Sequence, residues 1–384
     1  MKTLKRVYIV DAKRTAIVTA NSKFKYIRPE VLGAKVLNNL PSEVDEIIAG
    51  NAVGMGGNIA RLMALTAGFS ENLPAITVDM QCASAAAAIN MAYTKIACGQ
   101  IESCIAGGME SASLQPLRVY HKNDERHFKI SYSNDGNDIQ GAYYTAQFSP
   151  NELSETAMLE GAERVAIAEG ITKAELDAWA IKSHRRAAKA VELLKDCIVE
   201  VNGTVKDNGI KANINQKLLD RAPLPLGAGT LTSAGNACRI NDGAAFVMLA
   251  SEEYIKQNLL KPLAEIIAAV EYAGNPQESP RAAMLTADYL LNKVGLHYEN
   301  LAAIEFNEAF AVIDVLFERK HNKLIDRYNR LGGALAYGHP YGASGAVLMI
   351  HLIMSLKCAE GGLGLMSIAG AGGTGAAILI NGGD

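Results

Sequence analysis

The sequence predicts a mixed α/β fold, and three observations support that class. The 384 residues include 49% apolar and 20% charged residues, with 35 Gly and 11 Pro, a composition typical of globular α/β enzymes. Short apolar segments at 7–10, 46–49 and 103–106 alternate with helix-length stretches, as in a mostly parallel sheet covered by helices. A chain of this length should form two or three domains, or one pseudo-symmetric pair with an insertion.

The charge and hydropathy patterns disfavour two classes of partner. The formal net charge is −3 with a pI near 6.2, and Lys and Arg are scattered, so neither nucleic acid nor an anionic membrane is an expected partner. The first apolar run, 7–10, is followed by Asp11 and Lys13, which favours a first strand over a signal peptide. No uncharged apolar stretch reaches about 18 residues, so we expect no membrane span and a cytoplasmic protein.

The cysteine pattern predicts free thiols and no metal site. The six cysteines form no CxxC pair, and no His lies at metal-ligand spacing from any of them. They are Cys82, Cys98, Cys104, Cys197, Cys238 and Cys358. Such a pattern is expected in a reducing compartment.

The composition and the predicted secondary structure change in the middle of the chain. Residues 112–236 are polar, aromatic and loop-like and then helical, with a capping-box helix start at Thr172. We therefore predict an N-terminal half made of residues 1–111 with 237–250, an inserted domain at 112–236, and a C-terminal half at 251–384.

The two α/β halves resemble each other in layout, which predicts an internal duplication. In the first half a turn carries Cys82 just before a helix that begins at Ser84. In the second half a glycine-rich turn carries His339 before a helix that begins at Ser344. Each half thus offers one reactive side chain at the head of a helix, and the duplication would bring these two turns together.

Cys82 is the candidate nucleophile. It follows an apolar strand and precedes a run of Ala, so it should lie at a helix N-terminus, where the helix dipole favours the thiolate. The alternative is a buried structural thiol, the commoner fate of a free cysteine. We favour that alternative for four others: Cys98, Cys104, Cys197 and Cys358.

Two further segments could serve such a nucleophile. His339 lies in GGALAYGHPYGASGA, where glycines and Pro340 constrain the backbone around one imidazole that could accept a thiol proton. Asn307 follows a strand in EFNEAFA, although a plain helix N-cap would explain it equally well. The stretch at 369–375, AGAGGTG, has no βαβ unit after it, so exposed N–H groups for an oxyanion are a better interpretation than a dinucleotide loop.

Together these segments closely resemble the thiolase family, acetyl-CoA acetyltransferases and 3-ketoacyl-CoA thiolases, over essentially the whole length. The matching motifs stand in order along the chain: VDAKRT at 10–15, QCAS at 81–84, AGGMES at 106–111, AGNA and NDG at 234–243, NEAF at 307–310, and GHP with GASG at 338–345.

The resemblance implies a five-layer α-β-α-β-α sandwich of two duplicated halves, with the inserted loop domain binding coenzyme A. It implies that Cys82 accepts an acyl group from acyl-CoA, that His339 activates it, and that Asn307 positions a water in an oxyanion hole. It also implies an oxyanion site of backbone N–H groups at Cys82, Ala371 and Gly372, and binding residues at Met158, Ala234, Gly235 and Phe310. The CoA thioester is the substrate, no separate cofactor or metal is expected, and dimers or tetramers are the norm.

The chain also departs from the family pattern. Most thiolases have a second, acid/base cysteine before the C-terminal glycines, but no cysteine follows Cys358 here, and Ala369 or Ser367 takes its place. Ala157 stands where many relatives have a histidine, and Ala85 where glycine is usual. Three explanations remain open: a specialised thiolase with another base, such as His339; a non-condensing acyltransferase or thioesterase that uses Cys82; or a CoA-binding subunit without turnover.

Overall fold

A computed structural model describes residues 4–134, 137–150 and 153–383. The strands are β1 (Val7–Thr15), β2 (Val18–Thr19), β3 (Glu46–Gly50), β4 (Ala75–Val78), β5 (Ser103–Glu110), β6 (Arg118–Val119), β7 (Ser131–Asn134), β8 (Asn137–Gln140), β9 (Ala142–Tyr143), β10 (Ile198–Val199), β11 (Asn241–Ser251), β12 (Ala264–Ala273), β13 (Ala303–Phe306), β14 (Gly362–Gly370) and β15 (Thr374–Gly382). The α-helices are α1 (Pro29–Leu37), α2 (Ile59–Thr66), α3 (Ser84–Ala97), α4 (Ala157–Ala168), α5 (Lys173–Leu194), α6 (Gln216–Leu219), α7 (Glu252–Gln257), α8 (Ala282–Val294), α9 (Ala311–His321), α10 (Ala334–Tyr337) and α11 (Ser344–Cys358).

The main strands pair in the order β13-β14-β15-β12-β1-β11-β5-β3-β4. Strands β3, β4 and β5 are parallel, whereas β11 is antiparallel to both β5 and β1. The two half-sheets join where Val7–Ile9 of β1 pair antiparallel with residues 264–266 of β12. This is the mixed α/β arrangement that the sequence predicts.

The element order shows the duplication directly. The succession β1-α1-β3-α2 in the first half corresponds to β12-α8-β13-α9 in the second, and α3-β5-β11 corresponds to α11-β14-β15. Helices α3 and α11 therefore occupy equivalent places, and each follows one of the two candidate catalytic turns.

Helices α3 and α11 pack against each other between the half-sheets, and small residues allow the close approach. Ala85 and Ala86 are fully buried in α3, and a Cβ built on Gly345 of α11 would lie 2.4 Å from the Ala86 nitrogen. The segment Tyr341–Cys358 is long and apolar enough to cross a membrane, but 78% of it is buried inside the protein. Its hydrophobicity is explained by this central position.

The segment between β5 and β11 contains short strand pairs, β6 with β9 and β7 with β8, followed by helices α4 to α6. The predicted capping box is present, because the Thr172 side chain accepts a hydrogen bond from the Glu175 N–H and the Glu175 carboxylate accepts from the Thr172 N–H. Arg14 of β1 forms a buried, bidentate ion pair with Asp207, with N–O distances of 2.8 and 2.9 Å. This ion pair links the inserted segment to the core. The domain limits at 111–112 and 236–237 remain a prediction.

Candidate active site

A strained turn presents Cys82. Gln81 has a left-handed backbone with φ of 54°, a conformation that costs energy in a residue with a side chain. The turn is held by Ser84, whose hydroxyl accepts from the Met80 N–H at 2.8 Å and donates to the Gln81 carbonyl at 2.6 Å. Asp79 accepts the Gln81 N–H at 2.8 Å. Helix α3 begins two residues after Cys82, whose thiol is partly exposed.

The surroundings of Cys82 keep it protonated at rest. Burial raises the pKa of the Cys82 thiol to about 12, and the charge of Glu110 raises it further. The backbone N–H groups of Cys82 and Ala371 face the sulfur and lower the pKa. The N–H groups favour the thiolate as the sequence argument predicts, but desolvation is the largest influence on the pKa of Cys82 and keeps the thiol protonated.

His339 is held as a neutral base. Its Nε2 accepts from the Asn307 side-chain amide at 3.4 Å, so the proton lies on Nδ1, which donates to the Ser344 hydroxyl at 2.6 Å. Burial lowers the pKa of His339 to about 3, so the imidazole is uncharged at neutral pH. The preceding Gly338 has φ of 107° and packs against Asn241, whose side-chain oxygen accepts the His339 N–H at 3.1 Å.

Asn307 faces the site and does not cap a helix. Strand β13 ends at Phe306, the Asn307 N–H donates to the Ser367 carbonyl at 3.1 Å, and α9 begins at Ala311 with Phe310 as its N-cap. The N-cap alternative for Asn307 was therefore wrong. Its buried amide is directed at His339 instead.

Glu308, next to Asn307, was not identified from the sequence as a site residue. Its buried carboxylate accepts from the Trp179 indole at 3.1 Å and from the Ser183 hydroxyl, both on α5, and from the Asn329 amide at 3.2 Å. Burial raises the pKa of Glu308, and these donors oppose that rise. This carboxylate fixes the loop that carries Asn307 against the inserted segment. An acidic residue in the apolar context of NEAF is the signal that could have pointed to it.

A second buried carboxylate, Glu110, supports the His339 turn. It accepts from the N–H groups of Gly342 at 3.0 Å and Ala52 at 2.9 Å, and from the Asn51 amide at 2.8 Å. Gly342 is packed so closely that an added Cβ would lie 2.8 Å from the Asn51 Cα. The end of β5 thereby positions a turn from the other half of the molecule.

The C-terminal glycine-rich turn joins β14 to β15 and contributes Ala371 to the site, since its N–H faces the Cys82 sulfur. Gly372 lies beside it with φ of 86°, and an added Cβ would lie 3.3 Å from the Phe148 carbonyl oxygen. Ser367 is fully buried and donates its hydroxyl to the Ala283 carbonyl at 2.6 Å. Its proton is thus directed at a helix backbone, and Ala369, two residues later on β14, carries only a methyl group.

The predicted binding residues lie in different places. Met158 occupies the first turn of α4 and packs, partly buried, against the core cluster that contains Phe310. Phe310 pairs with Ala237 in a short antiparallel bridge. Ala234 is exposed, and Gly235 packs against Leu219 of α6, where an added Cβ would lie 2.5 Å from a leucine methyl. Phe310 thus lies three residues after Asn307 at the start of α9, and Gly235 lies against α6; the binding role of all four residues remains a prediction.

An open groove of about 690 Å³ lies on the inserted segment, and its lining includes Arg126, Lys129, Gln147 and Phe148. Because the Phe148 carbonyl lies beside Gly372, the groove leads toward the glycine-rich turn. Among the described residues no cluster of His, Cys, Asp and Glu could hold a metal ion.

Comparisons with known proteins agree with this geometry. Residues 7–253 match the family model for the thiolase N-terminal domain, and residues 260–382 match that for the thiolase C-terminal domain. A probable acetyl-CoA acyltransferase of Staphylococcus aureus is 31% identical, with 98% of this chain and 99% of that protein covered.

Solved structures are also similar over the full length. The acetyl-CoA acetyltransferase of Bacillus anthracis is 29% identical, with a TM-score of 0.90 and 100% of both chains covered. Human mitochondrial 3-ketoacyl-CoA thiolase in complex with CoA is 26% identical, with a TM-score of 0.88 and 100% of both chains covered. The predicted fold is thereby confirmed.

Proposed function

Because this chain belongs to the thiolase family and is an acyltransferase of the thiolase type, we propose that it carries its acyl group on Cys82 and makes or cleaves 3-ketoacyl-CoA. One observation carries the assignment of residues: four separate segments meet in one region, because the Ala371 N–H faces Cys82, the Asn307 amide faces His339, and Tyr341 lies both beside His339 and near Cys82. They supply the Cys82 thiol with the Ala371 N–H, the neutral His339 imidazole, and the Asn307 amide.

The first half-reaction is acyl transfer to Cys82. His339 Nε2 is unprotonated at neutral pH, and it gives up its 3.4 Å contact with the Asn307 amide to accept the thiol proton as the sulfur attacks the thioester carbonyl. The charge that develops on the carbonyl oxygen is stabilised by the N–H groups of Cys82 and Ala371. Since the resting thiol has a raised pKa, Cys82 becomes nucleophilic only as this proton moves.

The second half-reaction needs a stabilised enolate. Once His339 holds a proton, its Nε2–H and the Asn307 amide can both donate toward the enolate oxygen of a second thioester, with Asn307 acting through a water. Glu308 contributes by fixing the Asn307 loop. Positioning of this kind is worth about 10²-fold in rate for a displacement near 1 Å.

The groove on the inserted segment is the proposed path for CoA. Arg126, paired with Asp124, and Lys129, paired with Glu125, would exchange these carboxylates for phosphate oxygens when CoA binds. The Phe148 end of the groove lies beside the glycine-rich turn. The CoA thioester is thus a substrate and no further cofactor is required. We also propose that the protein is cytoplasmic, which its bacterial relatives support, and that it forms a homodimer or homotetramer, as the family resemblance implies.

Mass spectrometry of the intact protein after mixing with acetyl-CoA tests the acyl-enzyme. We expect one acetyl adduct, abolished in Cys82→Ala and retained in the matched control Cys358→Ala, which removes an exposed thiol at the end of α11. The absence of an adduct in the wild type, or its persistence in Cys82→Ala, would overturn the assignment.

The competing activity is acyl transfer without condensation, as in a non-condensing acyltransferase or thioesterase. The methyl group of Ala369 motivates it, because no proton can be exchanged there. Thiolysis of acetoacetyl-CoA by free CoA separates the two: a thiolase releases two molecules of acetyl-CoA. An enzyme that acetylates Cys82 but performs no thiolysis belongs to the non-condensing class.

A further inference from the structure

Cys238 is a second thiol of the site, contributed by a segment that the proposed mechanism leaves without a role. Its N–H donates to the Ala309 carbonyl at 2.9 Å, and the neighbouring Ala237 pairs with Phe310. On its other side the Arg239 carbonyl accepts the His339 N–H at 3.2 Å. Cys238 is therefore held between the loop that follows Asn307 and the turn that carries His339.

The Cys238 side chain lies near Cys82. Burial, and then the charge of Cys82, raise the pKa of Cys238 well above its usual range. Burial, with the charges of both cysteines, likewise holds the pKa of Tyr341 high, and the Tyr341 ring packs against His339 with centroids 5.2 Å apart. Cys82, Cys238 and Tyr341 are thus close enough to interact electrostatically, and Tyr341 lies beside the imidazole.

Cys238 packs against the same core cluster as Ala369, one of the two candidate positions for the acid/base cysteine that most thiolases have. The cluster also includes Ala309 and Phe310, and the Cys238 side chain is partly exposed. Ser367 is excluded as the base because its hydroxyl is engaged with the Ala283 carbonyl.

We propose that Cys238 is the acid/base residue of the condensation step, and that it supplies from the segment after AGNA the thiol that β14 lacks. This inference rests on the proposed function, because it concerns the same acyl-Cys82 site. It extends that function by adding the enolate-forming step to the residues present.

The proton balance of the reaction closes with these residues. As the Cys82–acyl bond forms, His339 takes the Cys82 proton, the acyl–sulfur bond of the first thioester breaks, and the leaving CoA thiolate takes the Cys238 proton. The Cys238 thiolate then removes a proton from the α-carbon of the second thioester. The enolate carbon attacks the acyl carbon, the bond to Cys82 breaks, and Cys82 regains its proton from His339.

The buried setting suits this role. A thiol whose pKa is raised becomes a strong base once its proton has left, and the α-proton of a thioester is a weak acid. The four remaining cysteines do not offer this. Cys98 and Cys358 are exposed at the ends of α3 and α11, Cys104 is buried in β5, and Cys197 lies after α5 near Arg14.

The test measures deuterium exchange at the methyl group of acetyl-CoA in heavy water, divided by the fraction of enzyme acetylated on Cys82. We expect Cys238→Ser to retain the acetyl adduct and to lose exchange by at least about 100-fold. Cys238→Ala should behave in the same way, and the matched control Cys358→Ser should equal the wild type.

The outcomes separate the two proposals. Exchange in Cys238→Ser at the wild-type rate per acetylated enzyme refutes the role of Cys238 and leaves the acyl-enzyme intact. A wild type that forms no adduct refutes the proposed function and this inference with it. The exchange rate is expressed per acetylated enzyme. A poorly folded fraction that cannot be acetylated therefore does not lower this rate.

Discussion

Gly345→Ala tests whether the contact between α3 and α11 positions the two catalytic turns. In an isolated helix, alanine would be favoured over glycine by about 1 kcal/mol. Here the new Cβ would lie 2.4 Å from the Ala86 nitrogen, 2.9 Å from its Cβ and 3.0 Å from its Cα. Relief of the shortest contact to an ordinary van der Waals distance requires a separation of roughly 1 Å. Backbone atoms of a buried helix cannot move aside as a side chain can.

The two effects have opposite signs, and the overlap should dominate. Overpacking of a well-filled core costs about 1 to 3 kcal/mol, and more where backbone must move. We therefore expect a net loss of about 1 to 2 kcal/mol in the free energy of unfolding. Since α3 follows Cys82 and α11 follows His339, a displacement near 1 Å should also slow acetylation of Cys82 by about 10²-fold.

Two quantities are measured. Circular dichroism gives the free energy of unfolding in urea, and mass spectrometry of samples quenched at successive times gives the rate of Cys82 acetylation. The matched control is Gly33→Ala in α1, where the nearest atom to the new Cβ, at 2.3 Å, is the sulfur of the Met63 side chain. A thioether can change rotamer, so this variant should lose less stability and keep its acetylation rate. A Gly345→Ala protein as stable and as fast as the wild type would refute the reasoning.

Two further predictions concern a buried histidine and the groove. His351 is buried with its Nε2 unpaired in the part of the chain that the structure describes, and burial lowers its pKa to about 3. Between pH 6.5 and 3 the unfolded chain protonates this histidine and the folded protein does not. The protein therefore loses up to about 5 kcal/mol of its free energy of unfolding as the pH falls from 6.5 toward 3. His351→Phe should move the acid-unfolding midpoint to lower pH, while His121→Phe at an exposed site should not; an unmoved midpoint in His351→Phe would contradict this. Arg126→Ala should raise the KM for acetyl-CoA by about 3- to 10-fold and leave the KM for an acetyl-pantetheine thioester unchanged, because only the former carries the nucleotide phosphates. Arg28→Ala, which removes an exposed arginine just before α1, is the control, and equal effects on both substrates would argue against the groove as the nucleotide site.

Several site residues could be predicted because their chemistry depends on short stretches of chain. Cys82 precedes a helix in a turn that needs small residues, and His339 lies among glycines that fix its backbone. Their approach to each other followed from the duplication, since equivalent turns of two packed halves meet at the same central layer. The α/β class followed from the strand and helix periodicity.

Other features depend on contacts between distant segments, which local patterns do not contain. The choice between Ser367 and Ala369 required knowing that the Ser367 hydroxyl donates to Ala283. The protonation of Cys82 depends on desolvation by the whole site, and this outweighs the effect expected of the helix dipole. Local sequence alone does not indicate that Cys238 belongs to the site. Its proposed acid/base role follows from the hydrogen bonds of Cys238 to Ala309 and of Arg239 to His339, which place it between two loops.

The central pair of helices also limits how such an enzyme could be divided. Each half contributes one sheet and one catalytic turn, yet the small-residue faces of α3 and α11 are complementary only to each other. The first half alone would expose the alanine-rich α3 and carry a nucleophile without its base, whereas the second half alone would expose the apolar α11 and carry a base without its nucleophile. The two duplicated units therefore depend on each other for function. Because their contact has no room for an additional methyl group, a substitution in one helix restricts which residues the other can accept.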